Sequence, residues 1–215
     1  GESYPDLAAI ANMMPNQFQF LVRADSGIES IQDLAGKTVG TGAPGSGDEV
    51  LARGVMEALG VYQDVKPMQL SFGEQVTAFK DRTIDCIFVA SPAPTAAILD
   101  AASQAEVKFI GFEGDNRDKV LAKFPFLVDD VITSEDYAFV SDDIPTFAVY
   151  STLFTSAEIP EQIIYDAVKA MYSDMPAINA SHAAMADFTP EMAVTGLPIK
   201  LHPGAQKYYE EEGLL

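Results

Sequence analysis

Between residues 20 and 112 the spacing of apolar positions alternates between two periods. Runs rich in β-branched and aromatic residues at 38–42, 68–72, 84–90 and 107–112 read as strands, and the segments at 47–59, 73–80 and 94–104 read as helices. In the first of these helices Val50, Leu51, Val55, Met56, Ala58 and Leu59 fall on one side at helical spacing, and Gly60 supplies the stop. Strand and helix in strict alternation predict βαβ units and a mostly parallel sheet flanked by helices, which is the α/β class. A helix is expected at 116–123, then loops to 146. Two long β-rich runs, 18–23 and 147–155, bracket this block, so the chain enters and leaves it through paired crossing strands, as a hinge would require. After Pro160 the pattern turns helical through Tyr172 and then breaks at Pro176, Pro190, Pro198 and Pro203.

The stretch Lys37-Thr-Val-Gly-Thr-Gly-Ala-Pro-Gly-Ser-Gly-Asp-Glu49 runs from a strand through small residues into a helix. The first N–H groups of a helix have no internal partner and sit at the positive end of its dipole, so this turn reads as a cradle for a carboxylate or phosphate. In a parallel sheet the loops 42–48, 71–74 and 90–95 leave the same edge, where open α/β folds bind ligands. Ser46 with Glu49, Ser71 with Glu74, and Ser30 with Asp33 have capping-box spacing, in which the serine satisfies its own helix instead of a ligand. A cap needs only Ser46, whereas Gly42, Gly45 and Gly47 together call for a sharp turn or a close approach.

The formal charge of -19, from 13 Lys and Arg against 32 Asp and Glu, argues against nucleic acid as a partner. No run approaches the roughly 18 apolar residues of a membrane-spanning helix, so no stable membrane insertion is expected. No signal peptide opens the chain, and Gly1 in place of methionine suggests a processed or engineered start. The lone Cys86, in a strand-like run, reads as a buried structural thiol. His182 and His202 lack a ligand-like third partner, so they are assigned surface or helix-end roles, with no metal and no cofactor expected.

Two nucleotide motifs can be laid over the glycine turn. Gly40-Thr-Gly42-Ala-Pro-Gly45 matches G-x-G-x-x-G, but Ser46 and Gly47 delay the helix and no acidic residue clearly ends the second strand. Gly42 to Gly47 has P-loop spacing, with Asp48-Glu49 where Lys and Ser or Thr belong. Two carboxylates there repel a triphosphate. No nucleophile–base pair is apparent, so the chain is read as a non-enzyme. A nucleotide-dependent enzyme using the Gly40 to Gly47 loop, and an interaction module with no small ligand, stand as alternatives.

Leu21-Val-Arg-Ala-Asp-Ser-Gly-Ile28, Asp33-Leu-Ala-Gly-Lys37, the glycine turn, Phe124-Pro-Phe126, Ile144-Pro-Thr146 and Leu197-Pro-Ile-Lys-Leu-His-Pro-Gly-Ala-Gln-Lys-Tyr-Tyr209 occur in an order and spacing that carry a family likeness. The chain resembles the TAXI-type solute receptors of TRAP transporters, extracytoplasmic proteins of the type II periplasmic-binding fold. That resemblance implies a small anionic solute, such as glutamate or a dicarboxylate or 2-oxo acid, captured and delivered to TRAP membrane permease subunits. It implies a periplasmic location and the following division: 1–23 as a first-lobe remnant and hinge strand, 24–146 as the second α/β lobe, and 147–215 as the return hinge strand and C-terminal helical region of the first lobe. The family's opening glycine-rich strand and helix have no counterpart before Tyr4, and Asp48 stands where the family often has threonine. The expected ligand-binding set is Thr41, Gly45, Ser46, Gly47 and Asp48, supplying N–H and hydroxyl contacts, with Phe72, Ala90 and Ser91 lining the floor.

Overall fold

The computed structural model describes residues 4–181, 183–186 and 188–215, and the elements appear in the order the alternation predicts. The strands are β1 (Leu7–Arg23), β2 (Thr38–Gly40), β3 (Lys66–Met68), β4 (Cys86–Ser91), β5 (Val107–Phe109), β6 (Val128–Ile132) and β7 (Ile144–Ser156). The α-helices are α1 (Gly47–Ala58), α2 (Phe72–Lys80), α3 (Ala96–Ala102), α4 (Gly114–Lys123), α5 (Glu161–Tyr172), α6 (Met175–Ser181) and α7 (Pro203–Glu211). The chain divides into two compact units, one of residues 16–149 and one of residues 1–15 with 150–215. β1 and β7 each run from one unit into the other.

In the 16–149 unit β3, β2 and β4 form the expected parallel block, with Gly40 opposite Met68 on one edge and Ile87 on the other. β1 joins that block antiparallel, Phe18 facing Ala90 and Val22 facing Cys86. Leu21 and Val22 are paired on both edges, to β4 and to β5, so this part of β1 is central to the sheet. A central strand with both faces covered buries every residue. Phe18, Phe20 and Val22 point into one core with Phe88, Phe112 and Phe147, roofed by α1 and α4. Leu21 points into a second core with Ile87, Val89, Phe109 and Tyr137, beside α2 and α3. Phe20 and Phe88 have ring centroids 4.5 Å apart, a packed aromatic contact that adds to area burial.

Three expectations need correction. The second strand is Lys66–Met68, not 68–72, because Ser71 and Glu74 cap a helix that already starts at Phe72. The loops expected after the 116–123 helix and up to 146 contain β6, which pairs antiparallel with β7 from Val128–Ala148 to Ile132–Ile144. Asp129 and Asp130 disguise this strand, since a pair of acidic residues lowers β-propensity while edge exposure tolerates it. β1 starts eleven residues earlier than the 18–23 run, at Leu7.

In the other unit α5 and α7 pack on Ile10 and Ala11 of β1 through Ile164, Val168, Tyr172, Ala205 and Tyr209. His202 takes a helix-end role. Its Nδ1 accepts the Gly204 N–H at 3.1 Å, which makes Nε2 the donor to the Ile159 carbonyl at 3.0 Å. His182 lies outside the described residues. Cys86 is buried as expected, and burial pushes its thiol well above the usual range, away from thiolate chemistry.

The approach of α7 to α5 depends on Gly204. A Cβ there would lie 2.2 Å from the Glu161 carbonyl oxygen and 2.7 Å from the Tyr165 nitrogen, both backbone atoms that cannot swing away. Gly204→Ala is expected to destabilise this unit by about 3 kcal/mol, the upper range for overpacking. Amide hydrogen exchange in α5 and α7 should accelerate while exchange in β4 is unchanged.

Candidate functional site

The glycine turn sorts its residues into those the fold uses and those it leaves open. Gly40 must lack a side chain because a Cβ would lie 2.4 Å from Gln75 Oε1. That Gln75 is buried across the sheet, its Oε1 accepting the Phe88 N–H at 3.1 Å and its Nε2 donating to the Leu70 carbonyl at 3.2 Å. Gly42 has φ +98, and a Cβ would fall 2.6 Å from that of Asp48. Both glycines therefore serve packing within the chain. Gly45, at φ +72, and Gly47 have open space where a side chain would stand, and both are exposed.

The amides divide in the same way. Thr41 is buried, with its N–H and its hydroxyl both directed to the Met68 carbonyl, at 3.0 and 3.4 Å. Ser46 caps α1 by accepting the Glu49 N–H at 3.2 Å, and the Ser46 N–H donates to the Ala43 carbonyl at 3.0 Å. This is half a capping box, since Glu49 turns instead toward Arg53, 3.4 Å away. Among the described residues the N–H groups of Gly45, Gly47 and Asp48 have no acceptor, so they are the free donors at the start of α1.

Asp48 itself brings the turn against β4. The β2–β4 ladder ends at Gly40–Ile87, so the β4 backbone beyond it has no strand on that side. The Asp48 carboxyl lies near the Ala90 N–H there, which favours its ionised form. Burial pushes the Asp48 carboxyl up to about 6, against the opposite pull of the Ala90 hydrogen bond. Ala90 and Ser91 are half-buried at the strand end. Phe72 is the first residue of α2 and packs on the second core beside Met68 and Leu70. The fold thus brings Asp48 near Ala90 and holds Thr41 and Phe72 in the scaffold.

Of the three helix starts expected at this edge, α1 leaves the Gly47 and Asp48 N–H groups free beside exposed Gly45 and Gly47, and α2 leaves the Phe72 and Gly73 N–H groups without an acceptor beside exposed Gly73, among the described residues. At α2, Glu74 accepts from the Ser71 N–H at 2.8 Å and hydroxyl at 2.6 Å, closing the capping box. At α3, the Thr95 N–H is donated to the Tyr137 hydroxyl at 2.7 Å.

The residues that hold the 90–95 loop escape sequence reasoning. Gln19 Nε2 donates to the Ser91 carbonyl at 2.8 Å and to Thr95 Oγ1 at 3.1 Å, while its Oε1 accepts from the Tyr137 hydroxyl. Gln17 accepts the Ala93 N–H at 3.2 Å and donates to the Val131 carbonyl at 3.1 Å. A pair of glutamines alternating with phenylalanines is the only signal, and it reads equally well as the wet face of an edge strand.

A model of the NMT1-like family matches residues 1–213 of the 215. The chain belongs to the NMT1-like family. It is also similar to solved structures at low identity. One is the periplasmic aliphatic sulphonate binding protein SsuA from Escherichia coli, at 19% identity and a TM-score of 0.48, over 95% of this chain and 59% of that one. Another is the alkanesulfonate-binding protein SsuA from Xanthomonas axonopodis pv. citri bound to MOPS, at 17% and 0.46, over 95% and 59%. A third is Tv2483 bound to L-arginine, at 14% and 0.47, over 89% and 63%. The chain spans about three fifths of the length of these proteins.

Two outcomes follow from this geometry. The folded-state value of Asp48 lies above the roughly 4 of a free carboxylate, so its contribution to stability is full below about pH 4 and is lost as pH rises through about 6. Asp48→Asn, which keeps an acceptor for Ala90, should exceed the wild type by about 1–2 kcal/mol in urea unfolding at pH 7.5, a figure discounted for partial exposure, and match it near pH 4. Tyr137→Phe leaves the buried Thr95 N–H without an acceptor and should cost about 2 kcal/mol, with faster amide exchange at Ala93 and Thr95.

Proposed function

We propose that this chain is an extracytoplasmic solute-binding receptor that captures a small carboxylate for a TRAP-type membrane permease, and that it is not an enzyme. The observation that carries the reading is the open turn at 45–48, where exposed Gly45 and Gly47 leave three backbone N–H groups free at the positive end of a twelve-residue helix. Membership of the NMT1-like family and the resemblance to TAXI-type receptors favour the same assignment. The solute is an amino acid such as glutamate, or a dicarboxylate or 2-oxo acid. β1 and β7, which each pass from one unit to the other, serve as the hinge strands.

Charge-assisted hydrogen bonds to backbone N–H groups contribute roughly 1.5–3 kcal/mol each, and three together with closure over the solute support micromolar binding, about -8 kcal/mol. The charge of -19 does not oppose this at contact distance, because its field decays over about 8 Å in physiological salt. No helix among the described residues is long and apolar enough to cross a membrane.

The nucleotide reading loses its remaining support at α2. Glu74, the acid in the 72–74 stretch that a nucleotide reading needs, already accepts from the Ser71 hydroxyl and N–H, and those hydrogen bonds lower its pKa.

Calorimetry with L-glutamate, 2-oxoglutarate and succinate should give heat and micromolar dissociation constants for at least one, and Gly47→Pro, which removes one free N–H at a position where proline is tolerated, should weaken that binding about tenfold. Heat from an uncharged sugar and from none of the acids would refute the carboxylate assignment.

A further inference from the structure

A cavity of about 240 Å³ in the 16–149 unit is lined by Arg23, Asp25, Arg82, Gln104, Ala105 and Glu106. It lies at the other end of the sheet from the 45–48 turn, since Arg23 reaches Ile84, just before β4, whereas Ala90 stands near the C-terminal end of that strand. Arg23 is the last residue of β1 and is buried. Its Nη1 and Nη2 each donate to the Ile84 carbonyl at 3.4 Å, and Nη2 also donates to the Phe79 carbonyl. These bonds occupy three of the five N–H groups of the guanidinium, so Nε and one Nη1 proton remain for another acceptor. The Phe79 ring beneath it, 4.1 Å from centroid to Cζ, holds the side chain in place.

The two arginines of this cavity lack what the other two have. Of the four in the chain, Arg53 pairs with Glu49, and Arg117 pairs with Asp118 and Asp129. Arg23 and Arg82 form no ion pair among the described residues, in a chain with 32 acids. Carbonyls and a ring give Arg23 partial charge and no counter-ion, and a buried cation without one is destabilising. Burial, and after it the Arg82 charge, lowers the Arg23 pKa, while Asp85 and Asp25 act the other way from beyond ion-pair distance. Arg82 is moreover the one non-glycine residue among those described at a positive φ, +57, a conformation that disfavours a side chain. Asp25 and Glu106 are exposed and unpaired among the described residues, so the same cavity also offers acceptors. A group that fits it accepts from two guanidiniums and donates to a carboxylate. Hydrogen phosphate does both, because it keeps at least one O–H at neutral pH, whereas sulfate has the same shape and no O–H. The volume is below the roughly 300–1,000 Å³ of clefts for drug-sized ligands and suits an ion with a few waters.

We infer that this cavity is a binding site for inorganic phosphate, with Arg23 and Arg82 donating to the phosphate oxygens and Asp25 or Glu106 accepting its O–H. The site shares no residue with the 45–48 turn and stands or falls independently of the receptor reading.

Inorganic phosphate is the probe, with sulfate at matched ionic strength as its control, each titrated into the whole chain at neutral pH and followed by amide NMR. Phosphate should move the Arg82, Gln104 and Glu106 resonances saturably and bind about tenfold or more tightly than sulfate, the difference made by one O–H given to a carboxylate. Arg82→Gly removes the guanidinium and installs the residue best suited to a positive φ, so the urea midpoint should stay at or above that of the wild type while phosphate binding weakens about tenfold or more. Arg82→Asn, which also tolerates that φ, should show the same loss and covers the case in which the glycine variant folds poorly. Asp25→Asn with Glu106→Gln should bring the phosphate-to-sulfate ratio toward one. Resonances that do not saturate with phosphate, sulfate bound as tightly as phosphate, a ratio unmoved by the double variant, or full phosphate affinity in a folded Arg82 variant would each overturn the assignment.

Discussion

A sheet covered on both faces must satisfy the backbone groups of its connecting loops from within, and in the 16–149 unit one row of side chains on β1 meets that demand. Phe18, Phe20 and Val22 fill one core, so the pleat sends Gln17, Gln19, Leu21 and Arg23 to the other side. There only Leu21 is apolar. Gln17 and Gln19 fix the loop after β4, and Arg23 donates to the Phe79 and Ile84 carbonyls at the far end of the same strand. Because an unpaired buried amide costs as much as several methylenes of packing recover, these polar residues set the shape of the loops as firmly as the phenylalanines set the core. Arg23 also lies over the Phe79 ring, 4.1 Å from its centroid, so its charge is sheltered by π density as well as by carbonyls.

The same logic explains the glycine turn. A motif of four glycines invites a ligand-centred reading of each. Yet Gly40 makes room for Gln75, whose amide bridges α2 to β4, and Gly42 makes room for the return of α1. Only Gly45 and Gly47 have nothing in the place of a side chain. Glycine in a sequence reports that something comes close or that φ is positive. It does not report whether the close neighbour is a ligand or the chain's own amide.

What could be read from the sequence follows from how local each signal is. α1, α2 and α5 were legible because their apolar spacing, their caps at Ser46, Ser71 and Pro160, and their stops lie within a dozen residues. The capping boxes at Ser30 and Ser71 formed as their spacing required. The antiparallel entry of β1 beside β4, and β6 with its paired aspartates, were not legible, because strand partners are set by contacts tens of residues away. In the candidate site, the cap at Ser46 and the glycines could be named in advance. Gln17, Gln19, Tyr137 and the Asp48–Ala90 contact could not, since each joins segments separated by more than forty positions.

Satisfaction, more than residue type, distinguishes scaffold from site here. Thr41, Ser71, Glu74, Gln75 and Thr95 are all polar residues at the C-terminal edge of the parallel block, and every one has its hydrogen bonds within the fold. A ligand contacting them must break an existing bond and gains only the difference. The free amides of Gly45 and Gly47 face only water, so a contact there exchanges a solvent hydrogen bond without breaking one of the fold. On the proposed receptor reading, binding energy is available at exposed helix starts such as the 45–48 turn, even though a much larger part of the same edge carries residues of the right chemistry.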